Sequence, residues 1–344
     1  MYRDLNERSR KILEAIIEDF IATGEPVGSR TITRRHQLGI SPATVRNVMA
    51  DLEEAGFLYS PHTSAGRVPT EKGYRFYVDT MIQLKDLSFD LRKAIEDSCS
   101  MEGLGLEGRL KRAGQVLSAT SRYAGLVSYP SFETTVFRHI EFIKLSSKKI
   151  LAILVSKAGN AQNKIIEVQH PISKRELEKI TNFLNSKLTG LPICEVKALI
   201  IKEMKEEKAL YDSLLHQAFE LSREVFEDQP EGTVFVEGAS NILDLPEFAD
   251  LECMKKLFRT FEQKNLLVDL LEKCRNAEGT HVFIGSEFES SGLEGCSLVT
   301  SSYISKSGIS GTLGILGPSR MTYSVVIPIV AHTARQISRF LDVD

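Results

Sequence analysis

The sequence predicts a multidomain α+β protein, and three observations carry that expectation. The chain has 344 residues and 42 % hydrophobic content, a composition ordinary for folded protein and a length beyond one small domain. Its first 80 residues hold helical patterns with legible start and stop signals, then a hairpin pattern. From Val136 the hydrophobic spacing changes to period two, gives way to a charged helical middle, and returns to period two before a terminal helix.

Ile12, Leu13, Ile16, Ile17, Phe20 and Ile21 recur at helical spacing and predict a first helix with a broad buried stripe. Asp4 and Glu7 have capping-box spacing at its start, with Asp in place of Ser or Thr. Ser29 suits the cap of a second helix ending near Leu38, and Gly39 turns the chain. The third helix is written most fully. Ser41 suits the N-cap, Pro42 the first helical position, and Gly56 the position just past the end. Val45, Val48, Met49 and Leu52 share one face, while Ala43, Arg46, Asn47 and Ala50 share the other, with Thr44 near its start. Small residues allow close approach, and Arg and Asn make paired hydrogen bonds to guanine or adenine edges in a major groove. Helix, short turn and helix is the order that seats a second helix in that groove.

Phe57, Leu58 and Tyr59 predict a short strand, Thr63 to Gly66 a turn, and Val68 the return strand. A hairpin directly after a reading helix is a wing, which makes the segment a winged helix-turn-helix. Arg67 stands beside its tip, where an exposed arginine can enter a narrow A·T-rich minor groove. Thr70 caps a further helix that carries Lys72, Tyr74, Arg75, Tyr77 and Met81. Residues 1–80 hold eleven Lys/Arg and eleven Asp/Glu, so the segment is neutral as a whole. From Pro26 to Ala50, however, there is no acid, while Arg30, Arg34, Arg35 and Arg46 all lie inside. A one-signed basic face on a neutral domain is what phosphate contact requires. The expected DNA-binding residues are therefore Arg30, Arg34, Arg35, Ser41, Ala43, Thr44, Arg46, Asn47, Arg67, Lys72 and Arg75.

Other chemistries find no pattern. Gly308, Gly311, Gly314 and Gly317 recur every third residue, but no Lys-Ser/Thr follows and they sit in a strand-like stretch. Close packing in a sheet explains them better than a phosphate loop. The seven histidines show no metal spacing, and Cys99, Cys194, Cys253, Cys274 and Cys296 form no CxxC, so no metal or cofactor is expected. No Gly-x-Ser-x-Gly elbow occurs, and no enzymatic activity is expected. Scattered cysteines in odd number imply reduced thiols in a cytoplasm. Charge crowds the first eleven positions, so no signal peptide is expected. The run Met321–Ala334 is too short to span a bilayer and contains Pro328, so no membrane association is expected.

Residues 74–100 read as helix, and Leu106, Leu110, Ala113 and Leu117 mark another over 104–122. An antiparallel meander follows, through Ile140, Phe142, Ile150–Val155 and Ile165–Val168, with turns at Ser146-Ser147 and Ala158-Gly159-Asn160. The middle, 173–275, is helical and charged, as at Lys202–Lys208, with seams at Leu210, Leu214 and Leu221 and at Leu257, Phe261, Leu267 and Leu271. Strands return at Thr280–Gly285, Ser297–Tyr303 and Gly311–Leu316, before a helix running to Leu341. Such a pattern fits two separate domains or one sheet interrupted by an insertion.

The strings ISPATVRNVMADLEEAGFL and SAGRVPTEKGYRFYVD together closely resemble the HrcA family of bacterial heat-inducible transcription repressors. GTLGILGPSRMTYSVVIPIV, residues 311–330, resembles the family's C-terminal signature. The likeness runs over nearly the whole chain. It implies the interrupted arrangement: a GAF-like α/β domain with an antiparallel sheet and an inserted, mainly helical dimerisation domain. The expected boundaries are 1–80 for the winged helix, 81–103 for a helical linker, 104–172 and 276–344 for the two parts of the GAF-like domain, and 173–275 for the insertion. The resemblance also implies repression of chaperone operons by a homodimer bound to the double-stranded CIRCE inverted repeat, with the GroEL chaperonin keeping the repressor folded. The alternative it raises is a winged-helix transcription factor that senses a small ligand through the GAF-like domain.

Overall fold

The computed structural model describes residues 5–62, 66–99, 105–130, 135–157, 161–168, 170–193, 195–196, 199, 220–222, 234–243, 245–248, 251–275, 279–288, 293, 295–306 and 309–342. The Ala158–Asn160 turn, the Thr63–Ala65 turn, Lys202–Lys208, Leu210, Leu214, Cys194 and Gly308 lie outside them. Helices and antiparallel ladders mix along the chain, as an α+β class requires. Two compact units result: residues 1–128, 234–302 and 312–337 form one, and 129–233, 303–311 and 338–344 the other.

The first unit opens with helices α1 (Glu7–Thr23), α2 (Ser29–Arg35) and α3 (Pro42–Glu54), strands β1 (Leu58–Tyr59) and β2 (Val68–Pro69), and α4 (Glu71–Thr80). Helix α1 begins later than Asp4 suggests. Asn6 is its N-cap and accepts from the Ser9 amide at 2.9 Å, the short carboxamide serving where the capping box was expected. Helix α2 is shorter than expected. Gly28 rather than Ser29 occupies the cap, and the helix stops at Arg35 because Gln37 and Gly39 both take positive φ. The expected helix over 74–100 is broken. Helix α4 ends at Thr80, and α5 (Phe89–Cys99) restarts where Ser88 accepts from the Leu91 amide at 3.3 Å. The intervening segment, which is neither helix nor strand, is pinned at Lys85, whose amide donates to the Ser324 carbonyl at 3.0 Å.

Helix α6 (Leu106–Ser121) leads into β3 (Ala124–Ser128), and the order β7-β3-β10-β9-β8 makes a five-stranded sheet. Its other strands are β7 (Val234–Glu237), β8 (Thr280–Ile284), β9 (Cys296–Ile304) and β10 (Ser310–Pro318). Residues of opposite parity on β3 face opposite layers. Gly125 lets β3 approach α6 so closely that a Cβ there would strike the Gly114 carbonyl. Leu126, with Leu298 and Leu316, packs against Leu257 of α9 (Leu251–Glu262) and Leu267 and Leu271 of α10 (Lys264–Arg275), after the short α8 (Ser240–Leu243). The glycine triplet does what sheet packing predicts. Gly311 closes on the Tyr303 ring, Gly314 on the Val299 carbonyl and Gly317 on the Tyr123 ring. Helix α11 (Tyr323–Leu341) ends the chain's described structure.

The second unit holds the meander β4 (Phe137–Lys144), β5 (Lys149–Ser156) and β6 (Ala161–Glu167), with α7 (Lys174–Leu188) packed on one face. Ile140, Phe142, Ile150, Ala152, Leu154 and Ile166 point at Leu177, Ile180, Leu184 and Leu188. Asn185 satisfies the edge of β4 like a further strand, accepting from the Ile140 amide at 2.8 Å and donating to its carbonyl at 3.0 Å. The chain thus divides differently from the sequence expectation. The meander makes its own sheet rather than joining the strands beyond residue 276, and residues 234–302 and 312–337 belong with the first unit. The reason is pairing. Ser128 and Val234 are ladder partners at adjacent ends of β3 and β7, so everything between them leaves and re-enters the five-stranded sheet at one point.

Candidate nucleic-acid interface

Helix α3 is held by local signals at both ends. Ser41 Oγ accepts from the Thr44 amide at 3.1 Å, and Pro42 follows at the first helical position. Past the last turn, Gly56 takes φ +77°, while its amide donates to Glu53 and that of Phe57 to Leu52, both at 2.9 Å. That double closure satisfies the last carbonyls and needs glycine at the left-handed position. Val45, Val48, Met49 and Leu52 are buried, facing α1, whose Ile12, Leu13, Ile16 and Ile17 are fully covered. The opposite face leaves Ser41, Ala43, Arg46, Asn47 and Ala50 exposed and Thr44 half-buried. The buried stripe and the polar face fall where the 3.6-residue period puts them.

The arginines divide into two groups. Among the described residues Arg30, Arg34 and Arg46 make no ion pair, and all three are exposed. Arg35 is exposed but shares Asp19 of α1, at 3.3 Å, with His36 Nε2 at 3.2 Å. Asp19 is buried, so this cluster ties the end of α2 to α1 just before the turn into α3. Sequence reasoning missed Asp19 because it interrupts the apolar stripe of α1 as any solvated acid would.

Three expected contacts are committed elsewhere. Arg67 is not the exposed arginine its place beside the turn suggested. Its guanidinium pairs with Glu53 at 2.8 Å, only 24 % of its side chain is exposed, and its backbone bridges Val27 in both directions at 2.9 Å. Gly66 permits that bridge, since a Cβ there would overlap the Val27 and Pro26 backbone. Lys72 donates to the Ala55 carbonyl at 2.7 Å and lies 4.6 Å above the Phe57 ring, so it caps α3. Arg75 is bound by Glu287, donates to the Val282 carbonyl at 2.5 Å and pairs with Asp79 at 3.3 Å. Asp79 is one turn along α4 from Arg75, but the other partners lie outside each residue's own element, up to 212 residues away, where no helical spacing rule reaches.

Among the described residues no group of three or more His, Cys, Asp or Glu is placed to hold a metal, and no helix is long and apolar enough to cross a membrane. The arrangement presents one short helix face with an Arg–Asn pair amid small residues, beside unpaired arginines on α2.

The family model described as HrcA protein C terminal domain matches residues 107–327. The heat-inducible transcription repressor HrcA of Geobacter sulfurreducens is 49 % identical, the match covering 98 % of this chain and 99 % of that one. Its counterpart in Syntrophobacter fumaroxidans is 42 % identical, covering 98 % of each. That in Xylella fastidiosa is 37 % identical, covering 98 % of this chain and 96 % of the other. A crystal structure described only as that of a hypothetical protein shares the fold, with a TM-score of 0.60 at 24 % identity over 98 % of both chains. The chain belongs to the HrcA family of heat-inducible transcription repressors.

Proposed function

We propose that this repressor binds a CIRCE-type inverted repeat in double-stranded DNA as a homodimer, one copy of α3 reading each arm from the major groove. In this reading α1–α3 with the β1–β2 ladder are a winged helix-turn-helix, and the five-stranded sheet is a GAF-like body. The observation that carries it is the exposed face of α3, where Arg46 and Asn47 stand among Ser41, Ala43 and Ala50 while the apolar face is buried. Arg30 and Arg34 supply phosphate contacts beside it. No step in this function calls for catalysis or a cofactor.

A two-fold operator asks for a two-fold protein. Of the helical seams expected to pair two copies, Leu257, Leu267 and Leu271 fill the core of the first unit and Leu221 that of the second. The outer face of the meander supports the role instead. Ile143, Leu145 and Ile165 are exposed there, and Ile143–Leu151–Ile165 form a cross-strand apolar row. We place the contact with a second copy on that row.

Dependence on folding state and GroEL follows from the family and has a physical requirement: the active population must track a marginal folding equilibrium. The first unit is drawn from three chain segments, an arrangement rich in long-range contacts that folds slowly. Gel shift of the refolded protein on the inverted repeat, with and without GroEL and ATP and across a salt series, tests both parts. Equal affinity for the repeat and for random duplex refutes the operator reading. Full activity on refolding without GroEL refutes the chaperonin dependence.

A further inference from the structure

The end of the chain that carries α3 is fastened to the body by a set of directional contacts, all within one compact unit. On α4, Arg75 grips the Glu287 carboxylate and the Val282 carbonyl, at the end of β8. One turn earlier, Glu71 accepts from the Ser286 amide at 3.0 Å and from its hydroxyl at 2.7 Å. Gly285, at φ +52°, makes that approach feasible, because a Cβ there would overlap the Glu71 carboxylate. From the body, Arg320 reaches the Ile21 carbonyl on α1 at 3.3 Å and pairs with Glu247. Between these polar clamps Tyr74 packs on Tyr323, ring centroids 6.3 Å apart, and the Tyr323 hydroxyl meets Ser297 at 2.7 Å.

Two further observations give this latch a purpose. The exposed face of α3 and the unpaired Arg30, Arg34 and Arg46 take no part in it, so latching leaves the reading surface open. The covalent link from α4 to α5, Met81–Ser88, is not helical, so without the latch the head would be joined to the body through a non-helical segment pinned at the Lys85 amide on the Ser324 carbonyl. From these we infer that the Glu71/Arg75/Arg320 latch is a positioning device: it holds α3 at one orientation to the body and thereby selects the separation between the two arms of the operator. The inference rests on the dimeric DNA-reading function proposed above.

The physical reason is rotation. Adding two base pairs between the arms turns one of them by about 70° and moves it about 7 Å along the axis. A head fixed to its body cannot follow, and the second arm is lost. A tethered head follows, but at a lower effective concentration.

The test uses variants on the body side, away from the reading surface: Glu287→Gln combined with Arg320→Ala in the full-length protein. Probes are a CIRCE inverted repeat, the same repeat with its spacer changed by two base pairs either way, and a duplex carrying one arm. Wild type is expected to lose about 100-fold on the altered spacers. The variant should bind the original repeat about tenfold more weakly, yet lose less than about threefold more when the spacer changes. Its affinity for the single arm should match wild type, and restoring either Glu287 or Arg320 alone should recover part of the spacing selectivity. Undiminished selectivity in the variant overturns the proposal. So does lost single-arm binding, which would mean that the latch keeps the head folded, and so does tighter binding of the original repeat, which would mean that it restrains the head. Failure of wild type to prefer the repeat over random duplex is a separate result and removes the DNA-reading function itself.

Discussion

Arg46 and Asn47 stand exposed on the face of α3 opposite the buried Val45, Val48, Met49 and Leu52, so their removal should touch binding and spare the fold. Arg46→Ala and Asn47→Ala are each expected to cost about 1–3 kcal/mol on the inverted repeat. Titration against repeat and random duplex checks this, and an equal loss on both would assign them to phosphate instead. Arg34→Ala should weaken binding to every sequence and lower the salt slope by about 1. Arg67→Ala should behave differently. Its partner is Glu53, and the pair is mostly covered, so about 1 kcal/mol of urea stability should go while the salt slope stays unchanged. The sequence made Arg34 and Arg67 equivalent cations. Only the fold separates one facing water from one folded against α3.

At the scale of elements, the reading helix and its neighbours were legible because caps and stripes are local. Ser41, Pro42, Gly56 and Thr70 each act within a few residues of themselves, and the structure finds all four in the roles their spacing implies. Thr70→Ala, which loses an acceptor for the Gly73 amide at 3.1 Å and a donor to the Gly56 carbonyl at 2.7 Å, should lower stability by about 1 kcal/mol in urea unfolding. Less legible were the breaks. Nothing periodic in residues 74–100 marks the end of α4, which depends partly on the Lys85 amide finding the Ser324 carbonyl. Strands β3 and β7 were missed because neither alternates: Ala124–Val127 are buried in an unbroken run, and Val234–Glu237 is four residues with no period. The meander was visible, and its exposed row makes a prediction of its own. Ile143→Lys with Ile165→Glu should give a monomer by sedimentation with unchanged circular dichroism, since both side chains point away from the α7 core. A dimer that survives would move the contact elsewhere.

For the whole molecule, the adjacency of Ser128 and Val234 predicts that residues 129–233, the largest part of the second unit, can be removed without breaking the five-stranded sheet. Replacing them with an Asn-Gly turn should leave a monomer that still binds a single operator arm. Deleting 173–275 instead should unfold the first unit, because it removes Leu257, Leu267 and Leu271 from its core. Thermal unfolding of the two deletions distinguishes them. Alkaline pH is a second global probe. Burial pushes the Cys99 thiol from 9.0 up to about 11 and the Tyr77 hydroxyl from 10.0 up to about 12. The native state therefore keeps protons that the unfolded chain releases. Stability should be full below pH 9 and fall as pH rises through 11 and then 12, with Cys99→Ser removing the earlier part. A urea midpoint that stays flat from pH 8 to 11 would contradict it.

What the sequence determined by itself was whatever depends on neighbours along the chain: helices α1, α3, α4 and α6, the exposed Arg–Asn face, the strand-like spacing of the glycines, and the family. Helical and strand periods and caps are properties of a few consecutive residues, and their energies need no distant partner. Tertiary structure alone decided the companions. Glu53 takes Arg67, the end of α3 takes Lys72, Glu287 takes Arg75, and β3 lies between β7 and β10 while the meander stands apart. Ion pairs and ladder bonds act over a few ångströms of space, and which far-off segments come that close is settled only when the chain closes on its core.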